Sequence, residues 1–259
     1  MLNPIFISFA LAVLLQLALW MYSVRTTNAG WVDFGWSAGM WMSSIVLFLS
    51  SDFSPRAGLA CGILFIWSGR LAWHILTDRL LGSKEEDTRY QNLRSHWGAS
   101  ANRKFFWVFL LQALLVVLFM LPAHVVSQRT APFPDFLDLA GLAVALLGII
   151  GESVSDSQLA SFRKDPDTKG KVCKRGFWYY SRHPNYFFEW FHWFGYVIMG
   201  VGAPGWIFTW VGPFLMYVFL RYVTGVPHAE RQSLRSRGDS YREYQQTTPV
   251  FFPWIPRKP

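Results

Sequence analysis

Long apolar runs recur along the whole sequence and limit its fold more than any other feature. Crossing about 30 Å of hydrocarbon takes roughly 20 helical residues. Seven runs approach or exceed that length, at about 4–24, 32–50, 57–77, 105–126, 136–158, 186–202 and 204–226. Of the 259 residues, 52% are hydrophobic and only 15% are charged, which is typical of membrane proteins. We therefore predict an all-α integral membrane bundle of seven transmembrane helices.

The remaining sequence offers no sign of a second domain. It has no internal repeat, low-complexity tract or linker, so we expect one multi-pass membrane domain over residues 1–259. The first apolar run has no basic residues before it and no small-residue cleavage site after it, which favours a retained helix over a signal peptide. Cys61 and Cys173 are expected to be buried or reduced thiols. No feature specifies an oligomeric state.

Lysine and arginine are distributed unevenly between the predicted loops. If the N-terminus is outside, 20 of the 24 basic residues fall in inner segments, and the outer loops hold only Arg56 and Arg129. Basic loops remain on the cytoplasmic side of a membrane. We therefore expect an outer N-terminus and a cytoplasmic C-terminus. The net charge of +8 then suits contact with anionic lipids and requires no nucleic acid.

Ionisable residues of the predicted spans gather at their inner ends. Such residues are costly inside a membrane, and by default they mark function. A candidate site is therefore expected in the cytoplasmic half of the bundle. Its members from the predicted spans include Asp33, His74, Asp78, Glu152, Asp156, Asn185, Glu189, Arg221 and His228.

The fifth run ends in a polar stripe. Glu152, Asp156 and Arg163 are spaced by four and seven residues, which places them on one face of a helix. Two acids followed by a base suit a ribose and a phosphate. The same spacing is also typical of a polar face that contacts neighbouring helices or lipid headgroups, and both interpretations remain open.

The stretch SRHPNYFFEW opens the sixth run. Pro184 fits a first helical turn, and the helix that starts there would present free N–H groups to an anion. Arg182 and His183 lie at its mouth. Asn185 and Glu189 share one face of a helix that is otherwise aromatic. An interfacial aromatic belt also accounts for Tyr186, which we nevertheless include among the cofactor-binding candidates.

The C-terminal tail is basic and aromatic. Its candidates for phosphate pairing and base stacking are Arg231, Arg235, Tyr241 and Tyr244, although an amphipathic tail lying on the membrane has the same composition. Residues 84–98 form either a solvated charge run or a lid. Glu189 and His192 have the E-x-x-H spacing of metal bundles, but a second such motif is missing, so we expect no metal site.

Several of these motifs resemble one known family. E-x-x-x-D-x-Q-x-x-x-F at 152–162, GFWYYSRHPNYFFEW at 176–190 and the final YREYQQTTPVFFPW resemble the steroid 5-alpha-reductase C-terminal domain, and more closely its bacterial membrane relatives. The resemblance implies a seven-helix reductase of a bacterial cytoplasmic membrane that uses NADPH to reduce the carbon–carbon double bond of a lipophilic enone, steroid-like or isoprenoid. It also implies which residues hold the dinucleotide: Asp156, Arg163, Asn185, Glu189, Arg231 and Tyr244.

The substrate side departs from the family pattern. Where the steroid enzymes carry a Gln-Glu pair at the start of the second span, this chain has Val32 and Asp33, and His74 lies near the position of their substrate-binding Tyr. We expect Asp33 and His74 to act in catalysis. Because the Gln is absent, the resemblance does not specify a 3-oxo steroid.

Two other functions fit parts of the sequence. S-adenosylmethionine-dependent methyltransferases of the isoprenylcysteine and phospholipid type also resemble the chain through RHPNY and a tail with Glu230 and Tyr244. They usually carry a Gly shortly after that first Tyr, where this chain has Phe187 and Phe188. A non-enzymatic lipid-binding protein is the third possibility, but that function would not explain why acidic residues gather at the inner ends of the helices.

Overall fold

The computed structural model describes residues 3–82 and 85–257, and within these residues every regular element is helical. Twelve α-helices follow one another along this part of the chain. They are α1 (Pro4–Thr26), α2 (Trp31–Leu49), α3 (Pro55–His74), α4 (Thr88–Trp97), α5 (Ala101–Ser127), α6 (Phe136–Lys164), α7 (Phe177–Tyr180), α8 (Pro184–Phe191), α9 (Phe194–Met199), α10 (Val211–Val218), α11 (Val226–Arg237) and α12 (Asp239–Thr247). A π-helical turn, Ile75–Leu81, extends α3. A 3₁₀ turn, Trp206–Trp210, precedes α10, and a second π-helical turn, Phe219–Val223, follows it.

Six helical stretches of the described residues are long and apolar enough to cross a membrane. They are Pro4–Thr26, Trp31–Leu49, Pro55–Leu81, Thr88–Ser127, Phe136–Lys164 and Trp206–Arg237. Each contains most or all of one predicted run, so the prediction of an all-helical, multi-pass membrane protein is confirmed. The predicted run at 186–202 is the exception, because it consists of the short helices α8 and α9 and not of one long helix.

A side chain interrupts the helix between α8 and α9. The Nδ1 atom of His192 lies 2.6 Å from the Glu189 carbonyl oxygen. In a continuous helix that oxygen would accept the N–H of Trp193, which instead donates to Trp190 over 3.3 Å. Gly195 and Tyr196 then bond three residues back. The backbone hydrogen bonds therefore span three residues in place of four for one turn before α9 begins.

The described helices form two compact units. Helices α1 to α5, with Gly200–Val211, make up the first unit, and Phe136–Met199 with the chain from Gly212 onward makes up the second. In the first, α2 packs against α1, α3 and α5. Gly35 lies against Gln16, and Gly39 lies against Val116, where an added Cβ would be only 2.9 Å from that valine. Small residues on α2 thus allow close helix approach.

Arg56 and Arg129, the two basic residues of the predicted outer loops, are buried in local contacts. The Arg56 guanidinium donates to the carbonyls of Arg129, Ala131 and Pro132 over 2.6–2.8 Å. Arg129 forms an ion pair with Asp135. Both arginines therefore hold this turn together through local contacts.

In the second unit, α6 packs closely against α8 and α9. A Cβ added to Gly148 would lie 2.5 Å from the His192 Cβ, and one added to Gly151 would lie 2.4 Å from the Phe188 ring. Glycine is therefore needed at both positions. This contact fixes the polar stripe of α6 relative to the start of α8.

Candidate functional site

The loop before α8 is held by the C-terminal tail. The Arg182 guanidinium donates to Glu230 Oε1 over 2.7 Å and to the carbonyls of Gln245 and Thr248 over 2.7 and 2.8 Å. Its backbone N–H donates to the Pro249 carbonyl over 2.9 Å. Arg182 thus joins the loop to the tail, and it lines a cavity of about 770 Å³ together with side chains between Gln245 and Arg257.

Glu230 is the centre of this arrangement. Besides Arg182, its carboxylate contacts His183 Nε2 at 3.4 Å and accepts a hydrogen bond from Gln245 Nε2 at 2.8 Å. His183 is buried and stacks on Tyr186, with ring planes 7° apart. Burial lowers the pKa of His183, and the hydrogen bond to Glu230 opposes this shift without reversing it. We call Arg182, His183, Glu230 and Gln245 the Glu230 cluster.

The two candidate tyrosines of the tail are also buried. Tyr244 is 2% exposed, and its hydroxyl donates to the backbone carbonyls of Trp178 and Ser181. Burial raises the pKa of Tyr241 to about 12 and also raises the pKa of Tyr244, so both hydroxyls remain protonated. Tyr244 therefore positions the loop before α8, and its ring is not an exposed stacking surface.

Helices α6 and α8 bring two predicted cofactor ligands together. Asn185 Nδ2 donates to Asp156 Oδ1 over 3.1 Å, across 29 residues of sequence. The other amide atom, Asn185 Oδ1, is buried and accepts no hydrogen bond from any described residue. Glu152 is buried one turn earlier on α6, and Glu189 is partly buried one turn later on α8. The arrangement contains a buried acceptor that a ligand N–H would satisfy.

The candidate arginines have different surroundings. Arg163, Arg231 and Arg235 are exposed. Arg231 Nε donates to the Pro227 carbonyl within its own helix, over 3.0 Å. These three guanidinium groups are thus at the surface, whereas Arg182 is held inside the Glu230 cluster.

The predicted catalytic acid belongs to the first unit. Asp33 accepts two hydrogen bonds, from Arg89 Nη2 at 2.8 Å and from the Tyr90 hydroxyl at 2.7 Å. Arg89 also pairs with Asp87 at 3.0 Å, and burial, which by itself would raise the pKa of Asp87, is outweighed by Arg89, so that pKa is lowered. Both carboxylate oxygens of Asp33 are therefore occupied by donors from α4.

His74, the other predicted catalytic residue, lies at the end of α3. Its Nδ1 atom is 3.1 Å from Asp78 Oδ2, and both side chains are exposed, by 44% and 63%. The pair is an i,i+4 contact on an exposed helix face. None of the hydrogen bonds and ion pairs described for His74 and Asp33 joins the two residues.

Sequence reasoning missed three residues of these clusters, Arg89, Tyr90 and Gln245, and it named Glu230 only as part of the methyltransferase resemblance. Arg89 and Tyr90 lie in the charged stretch 84–98, which predicts only a charge run or a lid, and Lys84 is outside the described residues. Glu230 is one of three acids in a basic tail, and such a pattern favours an ion pair with a nearby arginine. In the chain as described, no group of three or more His, Cys, Asp or Glu residues is placed to hold a metal ion.

The chain belongs to the family described as "Protein of unknown function (DUF1295)". The match covers residues 19–248, which include every candidate site residue named above. No curated protein and no solved structure matches the chain.

Proposed function

We propose that this protein is a membrane-embedded reductase that uses NADPH to reduce the carbon–carbon double bond of a lipophilic enone, and that it is related to the steroid 5-alpha-reductase C-terminal domain superfamily. The observation that carries the proposal is the Asp156–Asn185 pair with its buried, unsatisfied Asn185 Oδ1. A buried acceptor without a donor loses free energy unless a ligand supplies an N–H. The carboxamide N–H of a nicotinamide is such a donor.

The second unit provides the groups that a dinucleotide requires. Helix α8 begins with Pro184, and its N-terminal end attracts negative charge. Asp156 and Glu152 are carboxylates suited to ribose hydroxyls. The exposed guanidinium groups of Arg163, Arg231 and Arg235 are available for phosphates, including the 2′-phosphate that distinguishes NADPH from NADH.

The Glu230 cluster has a positioning role in this proposal. Arg182 and His183 already make hydrogen bonds with Glu230, and Tyr244 already donates to two carbonyls. These residues hold the loop from which α8 begins, so that Asn185 keeps its place beside Asp156.

Asp33 and Tyr90 are the proposed substrate-side residues. A bound NADPH would supply a hydride for the β-carbon of the enone. Negative charge then develops on the carbonyl oxygen, where a positioned O–H donor lowers the barrier. Tyr90 carries the one O–H of the pair and donates it to Asp33 Oδ1 in the structure. In the proposed reaction this O–H would turn to the carbonyl oxygen when the substrate binds, and a proton from water would complete the reduction at the α-carbon.

The proposed topology keeps seven crossings, with α8 and α9 together forming the sixth. A broken helix is tolerated at membrane depth where protein surrounds it, and α6 packs along both pieces. The N-terminus is then outside, the C-terminus is cytoplasmic and the cofactor site is in the cytoplasmic half. The lipid-soluble substrate and the cytosolic cofactor would meet there.

Identifying the small molecule that co-purifies with the full-length protein tests this proposal. Mild extraction followed by mass spectrometry should yield NADP(H). Recovery of S-adenosylmethionine or its demethylated product would favour the methyltransferase alternative. Recovery of a lipid alone, together with no nucleotide binding on titration, would favour a non-enzymatic lipid-binding protein.

A further inference from the structure

A second candidate binding site lies on a face of α6 other than the one that carries Asp156. It is a groove of about 600 Å³, within the range of roughly 300–1,000 Å³ that is usual for ligand sites. Side chains of α6 between Ile149 and Phe162 line it, together with Arg175 from the following loop. We propose that this groove binds one anionic phospholipid, with its acyl chains toward Ile150 and its phosphate at Arg175.

The groove changes from apolar to polar along the helix. Ile150 and Val154 are exposed hydrophobic side chains near the middle of α6, by 57% and 39%. Ser157 and Ser161 follow at intervals of one turn toward the helix end. The acyl chains of an amphipathic ligand aligned with the helix would therefore contact the apolar side chains, and its headgroup would contact the hydrogen-bond donors.

The polar end of the groove contains hydrogen-bond donors that the protein itself does not use. Ser153 and Ser155 satisfy their hydroxyls on carbonyls four residues back, over 2.8 and 2.7 Å, as serines in membrane helices commonly do. Ser157 and Ser161 make no such bond with any described residue. Gln158 Oε1 accepts the Phe177 N–H at 2.9 Å, which leaves its Nε2 group to donate.

The loop after α6 is fixed against the helix and carries the charge. Besides the Gln158 contact, Trp178 Nε1 donates to the Ser155 carbonyl over 2.9 Å. Gly176 adopts a φ of +58° beside Gln158, where an added Cβ would lie 2.4 Å from the amide nitrogen. These contacts hold the neighbouring Arg175 at the groove, above the ring of Phe162.

Arg175 is available for a phosphate. Its side chain is 71% exposed, and its ion pair with Asp165 is long, at 3.9 Å. The segment 163–182 contains seven basic and two acidic residues, so its field attracts an anionic headgroup more than a zwitterionic one. The alternative source of the same chemistry is a free phosphate, which would not use the apolar half of the groove.

The test is native mass spectrometry of the full-length, detergent-solubilised protein titrated with phosphatidylglycerol, phosphatidylcholine or inorganic phosphate. We expect phosphatidylglycerol to bind more tightly than phosphatidylcholine. Arg175→Gln should weaken it about fivefold, the effect of one basic residue near a lipid surface. The matched control Lys169→Gln removes the same charge from an exposed position of the same loop outside the groove, and it should change binding less than twofold.

A second variant tests the groove without a charge change. Ser157→Phe at this exposed position fills the groove. It should also weaken the binding of phosphatidylglycerol while leaving the melting temperature unchanged. Equal losses in Arg175→Gln and Lys169→Gln, or no preference for the anionic lipid, would overturn the proposal. Displacement of the lipid by millimolar inorganic phosphate would overturn it in favour of a free anion. None of these readouts depends on the reductase activity.

Discussion

The Tyr90 hydroxyl donates a hydrogen bond to Asp33 Oδ1 over 2.7 Å, and the Arg89 guanidinium occupies the other carboxylate oxygen at 2.8 Å. This pairing joins the start of α2 to α4. It assigns the two residues different tasks, since Asp33 accepts and Tyr90 donates. In the proposed reductase we therefore expect Asp33 to hold the Tyr90 hydroxyl before the substrate binds and not to donate the proton itself.

The first prediction follows from this pair. Tyr90→Phe removes only the hydroxyl, and Asp33→Asn removes the charge that orients it. Once an enone substrate is found, each change should slow hydride transfer by about 10²-fold or more, while NADPH affinity stays within about twofold. Single-turnover NADPH oxidation and NADPH titration measure the two effects. Tyr22→Phe, at an exposed tyrosine, is the control, and loss of cofactor binding in Asp33→Asn with unchanged stability would contradict the assignment.

The second prediction concerns the contact between α6 and α8. Gly148→Ala places a Cβ 2.5 Å from the His192 Cβ and 2.7 Å from its backbone, so it should lower the free energy of unfolding by about 1–3 kcal/mol. Gly62→Ala is the matched control, because nothing lies within 4 Å of its added Cβ. Thermal melts in detergent compare the two. A Gly148→Ala protein as stable as Gly62→Ala would refute the close packing.

Much of the fold could be predicted from the sequence because its strongest signals are local. The run at 4–24 corresponds to α1, where Asn3 caps the first turn and Pro4 follows it. The interruption of the helix within 186–202 could not be predicted, because hydropathy contains no information on the contact between the His192 ring and the Glu189 carbonyl oxygen. Apolar content alone cannot distinguish a continuous helix from two short ones.

The candidate site was predictable where its members lie at helix ends and follow helix spacing. Asp156 and Asn185 were expected near each other for that reason, and they form a hydrogen bond. Arg89 and Tyr90 contact Asp33 across 56 and 57 residues, and no local pattern specifies such a pairing. Tyr244 was predicted as a cofactor ligand from its ring, yet its hydroxyl bonds to buried carbonyls that only the tertiary structure brings to it.

The third prediction is a pH dependence of stability at the Glu230 cluster. Burial lowers the pKa of His183 below its usual value of 6.5, so the unfolded chain binds a proton there more readily than the folded chain. The contribution of neutral His183 to the free energy of unfolding is therefore fully present above pH 6.5, and it is lost as the pH falls below that value. Melting temperatures from pH 8 to pH 5 should decline toward acid, and His183→Gln should reduce that decline. His96→Gln, at an exposed histidine, should leave it unchanged, and an identical decline in all three proteins would contradict the role of His183.

The fourth prediction concerns topology. Six crossings would place both termini on one side of the membrane, whereas seven place them on opposite sides. Because we propose that α8 and α9 cross together, reporter fusions should locate the N-terminus outside and the C-terminus in the cytoplasm. Cysteine accessibility at both ends provides an independent measurement. Finding the two termini on the same side would rule out the seventh crossing.

Titration of the full-length protein in detergent with NADPH, NADH and S-adenosylmethionine tests whether the site binds a dinucleotide. We expect saturable binding that is tightest for NADPH. Asn185→Ala and Glu189→Ala should each bind NADPH about five- to 150-fold more weakly, since each loses a hydrogen-bond acceptor worth about 1–3 kcal/mol. Gln246→Ala, an exposed position of the tail, should bind NADPH as the unaltered protein does. Tighter binding of S-adenosylmethionine than of NADPH, or NADPH affinity that is unchanged in stably folded Asn185→Ala and Glu189→Ala, would contradict an NADPH site at these residues.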